Sequence, residues 1–431
     1  MKLPLIFLSL IFFTSTFASV NTLKGLVHQI VQEDLTVKQT KAQWESVQSQ
    51  LKAGYSTAMP DVNLVGQVVN QKMPQAMGGA IFPEKTYSLG VAVSQPIYLG
   101  GRVWNSIKLR EVRSKQARLV FENQKQLAII GTLAEVIQLN ALQDKKKYVL
   151  QSKDIQKKLL DITIKKRKRG NAKSFELDQS YAEFYSYGPR LNMLDNQILE
   201  MTEKVKSKLN LTVDQIDLPA LNKDIFMVME NFKVSSLSSG QLVKKAYAKR
   251  KDYLAQLEGL SLHKVQKKIN RGSHLPTFNL SGSWGYYAKT SSGIFDKDFK
   301  NEKYSLDFKI PLFSGLSSLH ERRADEKNIY SQNKKIELLK KNIKVELVKS
   351  HDAYAKAKDT FKQSQLWKDS AYRALISGEK NYKSGFIQQV QLVQLQLGFE
   401  RASSSFVDAR LRVISTYVNL AYQMGEDLER L

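Results

Sequence analysis

The sequence predicts a mainly α-helical protein, duplicated along its length, with four short membrane β-strands set between its long helices. Three observations predict it. Short segments recur at a spacing of half the chain, very long stretches carry no proline, and four runs of about ten residues alternate apolar with polar side chains.

The duplication is read from segments in register. Met59-Pro60-Asp61-Val62-Asn63-Leu64 corresponds to Leu275-Pro276-Thr277-Phe278-Asn279-Leu280, and Gln95-Pro96-Ile97-Tyr98-Leu99-Gly100 to Ile310-Pro311-Leu312-Phe313-Ser314-Gly315. Gly170 with Leu177 and Gln179 corresponds to Gly385 with Leu392 and Gln394. The last two matches share a spacing of 215, and the first differs by one residue. This gives repeat 1 over 19–211, a linker with short local structure over 212–237 and repeat 2 over 238–431. Each repeat begins with a helix of about 35 residues, Asn21 to Ala53 and Ser238 to Asn270. Two strands, a very long helix, a glycine turn at 170 or 385 and a second long helix follow.

The strands are expected at about 60–70, 87–96, 277–287 and 304–311. Alternation puts one face in apolar surroundings and the other in water, and about ten residues is what a tilted strand needs to cross the hydrocarbon layer. Leu64, Leu89, Val91, Leu280, Trp284, Leu306 and Phe308 are the candidate lipid-facing residues. Tyr87, Trp284, Tyr286 and Tyr304 lie towards the loops, where an aromatic girdle belongs. Four strands cannot close a barrel, and an open edge in lipid leaves backbone groups unpaired, so separate copies of the chain must pool their strands.

From Leu316 to Tyr382 no proline intervenes. A helix of that length reaches roughly 100 Å at ~1.5 Å per residue. Along it Leu347, Tyr354, Phe361, Leu375 and Tyr382 keep heptad register, with Lys368 the polar exception. A parallel stripe is small throughout: Ser350, Ala357, Ser364, Ala371 and Gly378. Large knobs beside small holes suit close helix packing.

Lys2, the apolar run Leu3 to Phe13 and Thr16-Phe17-Ala18 read as a signal peptide over 1–18, cleaved before Ser19. The chain has no cysteine, which excludes disulfides, thiol catalysis, cysteine-ligated zinc and a lipidated N-terminal cysteine. Its net charge of +25 is spread over helical segments with acids interleaved and no nucleic-acid-binding signature, so the charge is assigned to solvated helix faces. The five histidines (His28, His263, His274, His320, His351) have no metal-ligand spacing, and phosphate-binding loops and nucleophile elbows are missing. No enzymatic activity and no cofactor is expected.

With these segments in order, the chain resembles the TolC-like outer-membrane efflux protein family over the whole mature sequence. The carrying residues are Leu275-Pro276, Ser94-Gln95-Pro96-Ile97-Tyr98 with Gly100-Gly101-Arg102, Ile310-Pro311-Leu312-Phe313 with Gly315, and the two glycine-led helix starts. The resemblance implies a homotrimer in the outer membrane whose twelve strands close one β-barrel, continuous with a periplasmic α-helical barrel. It also implies a passive exit duct for efflux or one-step secretion, served by a periplasmic adaptor and an inner-membrane transporter. Two departures stand out. The Asn-Pro or Arg-Pro pair early in each first helix is replaced by Glu33-Asp34 and Arg250-Lys251, and Gly188-Pro189 is expected to kink or restart the helix after Gly170.

The resemblance also implies a gate beside the glycine turns. Tyr382 and Glu176 match the tyrosine and acid that tie the closed end together, with Gln179 at the same level. Gln391 and Gln394 stand where constriction aspartates are usual, so weaker cation selectivity is expected. Glu176 and Gln391 also fit plain solvated helix surface. The run Lys165-Lys166-Arg167-Lys168-Arg169 before Gly170 is read either as a soluble tip at a helix C-terminus or as a docking element for an acidic adaptor surface or anionic headgroups, with Gly170 and Gly385 forming the turns. The competing reading of the whole chain is a periplasmic coiled-coil scaffold or adaptor without a pore.

Overall fold

The computed structural model describes residues 22–70, 85–211, 215–231, 239–293, 296, 300–313 and 315–430; the segment expected to be a signal peptide and the loop between the first two strands lie outside them. The chain forms two compact units that cut across the repeats. One takes residues up to 38, 124–249 and 343 onward, and the other takes 39–123 and 250–342.

Repeat 1 contributes α1 (Leu23–Glu33), α2 (Leu35–Tyr55), β1 (Asp61–Asn70), β2 (Lys85–Leu99), α3 (Arg102–Lys168) and α4 (Ser174–Leu209). After α5 (Leu218–Asn231), repeat 2 contributes α6 (Ser239–Lys249), α7 (Lys251–Gly272), β3 (Thr277–Ala288), β4 (Lys300–Lys309), α8 (Ser317–Lys383) and α9 (Gln389–Gln423). The duplication extends to length: α3 and α8 both have 67 residues, and α4 and α9 have 36 and 35.

Two expectations from sequence are corrected here. The first helix of each repeat is broken, at Asp34 and at Arg250, both in extended conformation with ψ of 120° and 121°. Asp34 Oδ1 accepts from the backbone N–H groups of Thr36 at 2.8 Å and Val37 at 3.0 Å, capping the start of α2. Arg250 is held by a forked ion pair to Asp252, with nitrogen–oxygen distances of 3.0 and 2.7 Å. At Asp34, a side chain that satisfies the next helix's first turn ends a helix without any proline.

The linker contains α5, whose Leu218, Leu221 and Ile225 recur at helical spacing and are buried. Asp224 Oδ2 accepts from the backbone N–H of Leu23 at 2.7 Å and so ties α5 to the start of α1. Gly188-Pro189 does not restart a helix, because α4 runs unbroken through Pro189. Tyr187 and Leu191 on either side are buried, and their packing outweighs the roughly 3 kcal/mol that an interior proline costs.

The four strands form one antiparallel sheet in the order β1-β2-β3-β4, so β2 and β3 join the two repeats. They extend somewhat differently from the sequence-based limits, most at β2, which continues to Leu99 through an irregularity between Pro96 and Tyr98. A central strand accommodates a proline at such a bulge. Among the described residues β1 pairs only with β2 and β4 only with β3, leaving one free edge on each.

Candidate gate, tip and membrane surface

Both glycine turns have one backbone design. Gly170 (φ 78°) donates to the Arg167 carbonyl at 3.0 Å, and Asn171 donates to the Lys166 carbonyl at 2.9 Å. Gly385 (φ 80°) donates to the Tyr382 carbonyl at 3.1 Å, and Phe386 donates to the Asn381 carbonyl at 2.8 Å. These paired reversed bonds satisfy the last carbonyls of α3 and α8 and need a left-handed residue, which glycine supplies without strain.

The next helices start alike as well. Glu176 Oε2 accepts from the Lys173 backbone N–H at 2.9 Å, and Gln391 Oε1 accepts from the Gln388 backbone N–H at 2.9 Å. Glu176 and Gln391 are therefore repeat equivalents with a capping duty. Tyr382 is buried, and the Lys166 ammonium sits 3.9 Å from its ring centroid. Among the described residues no hydrogen bond joins Tyr382 to Glu176 within one chain. Gln179 is half-buried, whereas Gln391 and Gln394 are exposed.

Behind the turns lies an apolar cluster of Leu159, Leu375, Tyr382, Leu392, Val393 and Phe399. Threaded past it is a buried hydrogen-bond ladder that sequence reasoning missed. Gln389 Nε2 donates to the Glu176 carbonyl at 2.9 Å and to Ser180 Oγ at 2.6 Å. Gln396 Nε2 donates to the Ser152 carbonyl at 2.8 Å and to the Tyr187 hydroxyl at 3.2 Å. The Tyr187 hydroxyl donates to Glu400 Oε2 at 3.2 Å, and Arg190 meets Oε1 of the same carboxylate at 2.9 Å. Burial, and then the nearby Glu400 carboxylate, pushes the Tyr187 phenol far above its ordinary range, so it stays protonated and donates. The legible signal was the seven-residue spacing shared by Gln389 with Gln396 and by Ser180 with Tyr187.

The basic run is solvent-facing. Lys165, Arg167, Lys168 and Arg169 are exposed, as are Lys173, Lys380 and Lys383 around the two turns. Arg167 Nη1 also donates to the Ala172 carbonyl at 3.1 Å, bracing its turn.

In the sheet, pairing fixes which side chains share a face. Leu64, Val91 and Trp284 stand in one row; Val62, Val93 and Tyr304 share another; Leu280 is opposite Leu306, and Phe278 opposite Phe308. Leu64, Leu306 and Phe308 are 74%, 64% and 71% exposed, far more than a soluble fold leaves on one face. Val91, Leu280 and Trp284 are exposed too, and Leu89 is half-buried beside Tyr286. Trp284 Nε1 donates to the Tyr304 hydroxyl at 2.6 Å, giving both rings a polar partner on the apolar face. The opposite face is polar: Ser94, Ser281 and Ser305 share a row, and Ser281 and Ser305 are hydrogen-bonded at 2.8 Å. Val65, Val69, Ala92 and Tyr287 are its less polar members.

The outer membrane efflux protein profile matches residues 26–210 and 242–426, one stretch in each repeat. The chain belongs to that family. Family membership places this efflux protein in the outer membrane, in a family of channels and not of enzymes. The fold agrees. The CmeC outer membrane channel of Campylobacter jejuni superposes with a TM-score of 0.80 at 16% identity, covering 95% of this chain and 87% of that one. The VceC outer membrane protein of Vibrio cholerae gives 0.78 at 14% identity, covering 94% and 96%. A membrane protein of Pseudomonas aeruginosa gives 0.79 at 15% identity, covering 94% and 93%. No curated protein matches the sequence itself. Among its described residues the efflux protein has no helix long and apolar enough to cross a membrane.

Proposed function

We propose that this efflux protein is the exit duct of a tripartite efflux or type I secretion system. Three copies join the free edge of β4 to that of β1 and close a twelve-stranded barrel around the polar face, while the long helices line a periplasmic conduit. Transport through it is passive. A periplasmic adaptor and an inner-membrane transporter open the tip and supply the energy. The observation that carries this reading is the sheet, which combines an apolar, exposed face with two free edges. Neither is tolerable in a lone soluble chain, and lipid with barrel closure removes both problems.

Within that reading, the gate lies where α4 and α9 begin. Tyr382, Glu176, Gln179, Gln391 and Gln394 are proposed as its residues, and Gly170, Gly385 and the basic run as the docking tip. The deciding experiment combines fractionation with spin labels at Leu280 and Phe308. A heat-modifiable trimer in the outer membrane, with both labels reporting acyl chains, supports the duct. A monomer released by osmotic shock, or labels reporting water, sinks it.

A further inference from the structure

The two tip segments, 165–176 and 379–391, carry eight cations: Lys165, Lys166, Arg167, Lys168, Arg169, Lys173, Lys380 and Lys383. Glu176 and Glu379 oppose them there, with the exposed Asp178 two residues further on. None of the eight has an acidic partner among the described residues, and seven are exposed. The Glu176 carboxylate is spent on the Lys173 backbone N–H, where it offsets the positive end of its own helix. Gln391, in the equivalent capping position, is neutral, and so is Gln394 one turn further on. The eighth cation, Lys166, is the one that covers the Tyr382 ring, which brings positive charge to the gate itself.

A narrow mouth bordered by unpaired charge of one sign concentrates ions of the other sign and repels its own. Salt screens this only over a distance of about 10 Å at 0.1 M. Resting on the exit-duct reading, we propose that the tip makes this channel anion-selective and that its cargo carries net negative charge, as carboxylates or phosphates. The cations act as an entry filter. They raise the local concentration of anionic cargo at the closed end and disfavour the cationic compounds that an acidic constriction would draw in.

The test uses the full-length protein reconstituted in planar bilayers and in liposomes. In a potassium chloride gradient near 0.1 M, the reversal potential is expected to give chloride about threefold or more over potassium, falling towards parity near 1 M, where the screening length is about 3 Å. The triple variant Lys165→Gln, Lys168→Gln, Arg169→Gln is expected to lose most of that preference, and the matching Lys165→Arg, Lys168→Arg variant to keep it. The double variant Gln391→Glu, Gln394→Glu should move the ratio towards potassium. Liposomes carrying the channel should release carboxyfluorescein faster than a membrane-impermeant cationic dye of similar size. A potassium preference at low salt, or a ratio unmoved by the triple neutralisation, overturns the proposal while leaving the duct intact. A full-length protein that fractionates as a soluble monomer overturns the duct reading beneath it.

Discussion

At Gly170 and at Gly385 the chain makes the same turn twice, with the same two reversed hydrogen bonds and the same side chain-to-backbone cap three residues into the next helix. What rides on the two turns differs. Repeat 1 puts Lys166 and Arg167 where repeat 2 has Asn381 and Tyr382, and Glu176 where repeat 2 has Gln391. One tip supplies charge, and the other supplies an aromatic ring and the buried amides Gln389 and Gln396. Backbone demands at a helix end are strict, because orphan carbonyls and N–H groups must be paired whatever the sequence. Exposed side chains are free of that demand, so duplication preserved the turn and let the two surfaces specialise.

The largest test of this comparison is in the core. Leu375 is fully enclosed, while its repeat equivalent Leu160 is 7% exposed. Leu375→Ala is expected to cost about 2–5 kcal/mol and Leu160→Ala less, since a site nearer the surface can collapse or admit water. Hydrogen exchange of tip amides and denaturant midpoints measure both. A larger loss at Leu160 would break the ranking of the two equivalent positions by burial.

Gly170→Ala and Gly385→Ala come next, at about 1 kcal/mol each, because both glycines have positive φ and an added Cβ meets no neighbour within 4 Å. Loss of stability at one turn and not the other would show that the two are not equivalent. Thermal unfolding reads the pair.

A smaller effect separates the far ends of α4 and α9. Burial works to raise the Glu426 carboxyl, but the Lys245 and Lys249 ammonium groups outweigh it and hold the group below its ordinary range. The folded-state value lies below the unfolded one, so this contribution is full above the usual carboxylate pKa and is lost as pH falls through the lowered value. The equivalent position in repeat 1 is Leu211, which cannot titrate. Glu426→Gln should therefore flatten the fall in thermal midpoint on acidification, and an unchanged acid profile would remove Glu426 from that role.

The smallest effect lies in the caps. Glu176→Gln keeps the hydrogen bond but loses a negative charge at a helix start, and Gln391→Glu gains one, so the two should shift stability in opposite directions by about 0.3–1 kcal/mol. Helix-start exchange rates at low salt would resolve the signs.

Much of this fold was legible because its signals are periodic. Alternation at Leu64, Leu280, Leu306 and Phe308 marked one face of each strand, and pairing places those residues on a single apolar face. The heptad stripe through Leu347, Leu375 and Tyr382 marked positions that are buried in fact. The breaks at Asp34 and Arg250 stand at departures from a family pattern but are not legible as breaks, because neither the Asp34 cap nor the Arg250–Asp252 pair is fixed until the partners are seen to face each other. At Pro189 the local cost was plain, and the burial of Tyr187 beside it, where α4 continues as one helix, was not.

By itself the sequence determined that the chain is duplicated, that its glycine turns recur at one spacing, and that its strands have one oily side, since each is a property of neighbours along the chain. Only the tertiary structure decided that β2 pairs with β3, that α5 packs, and that Gln389, Gln396, Ser180 and Tyr187 meet in a buried ladder. Those partners lie some two hundred residues apart, and no local preference reports which distant group will satisfy a buried amide.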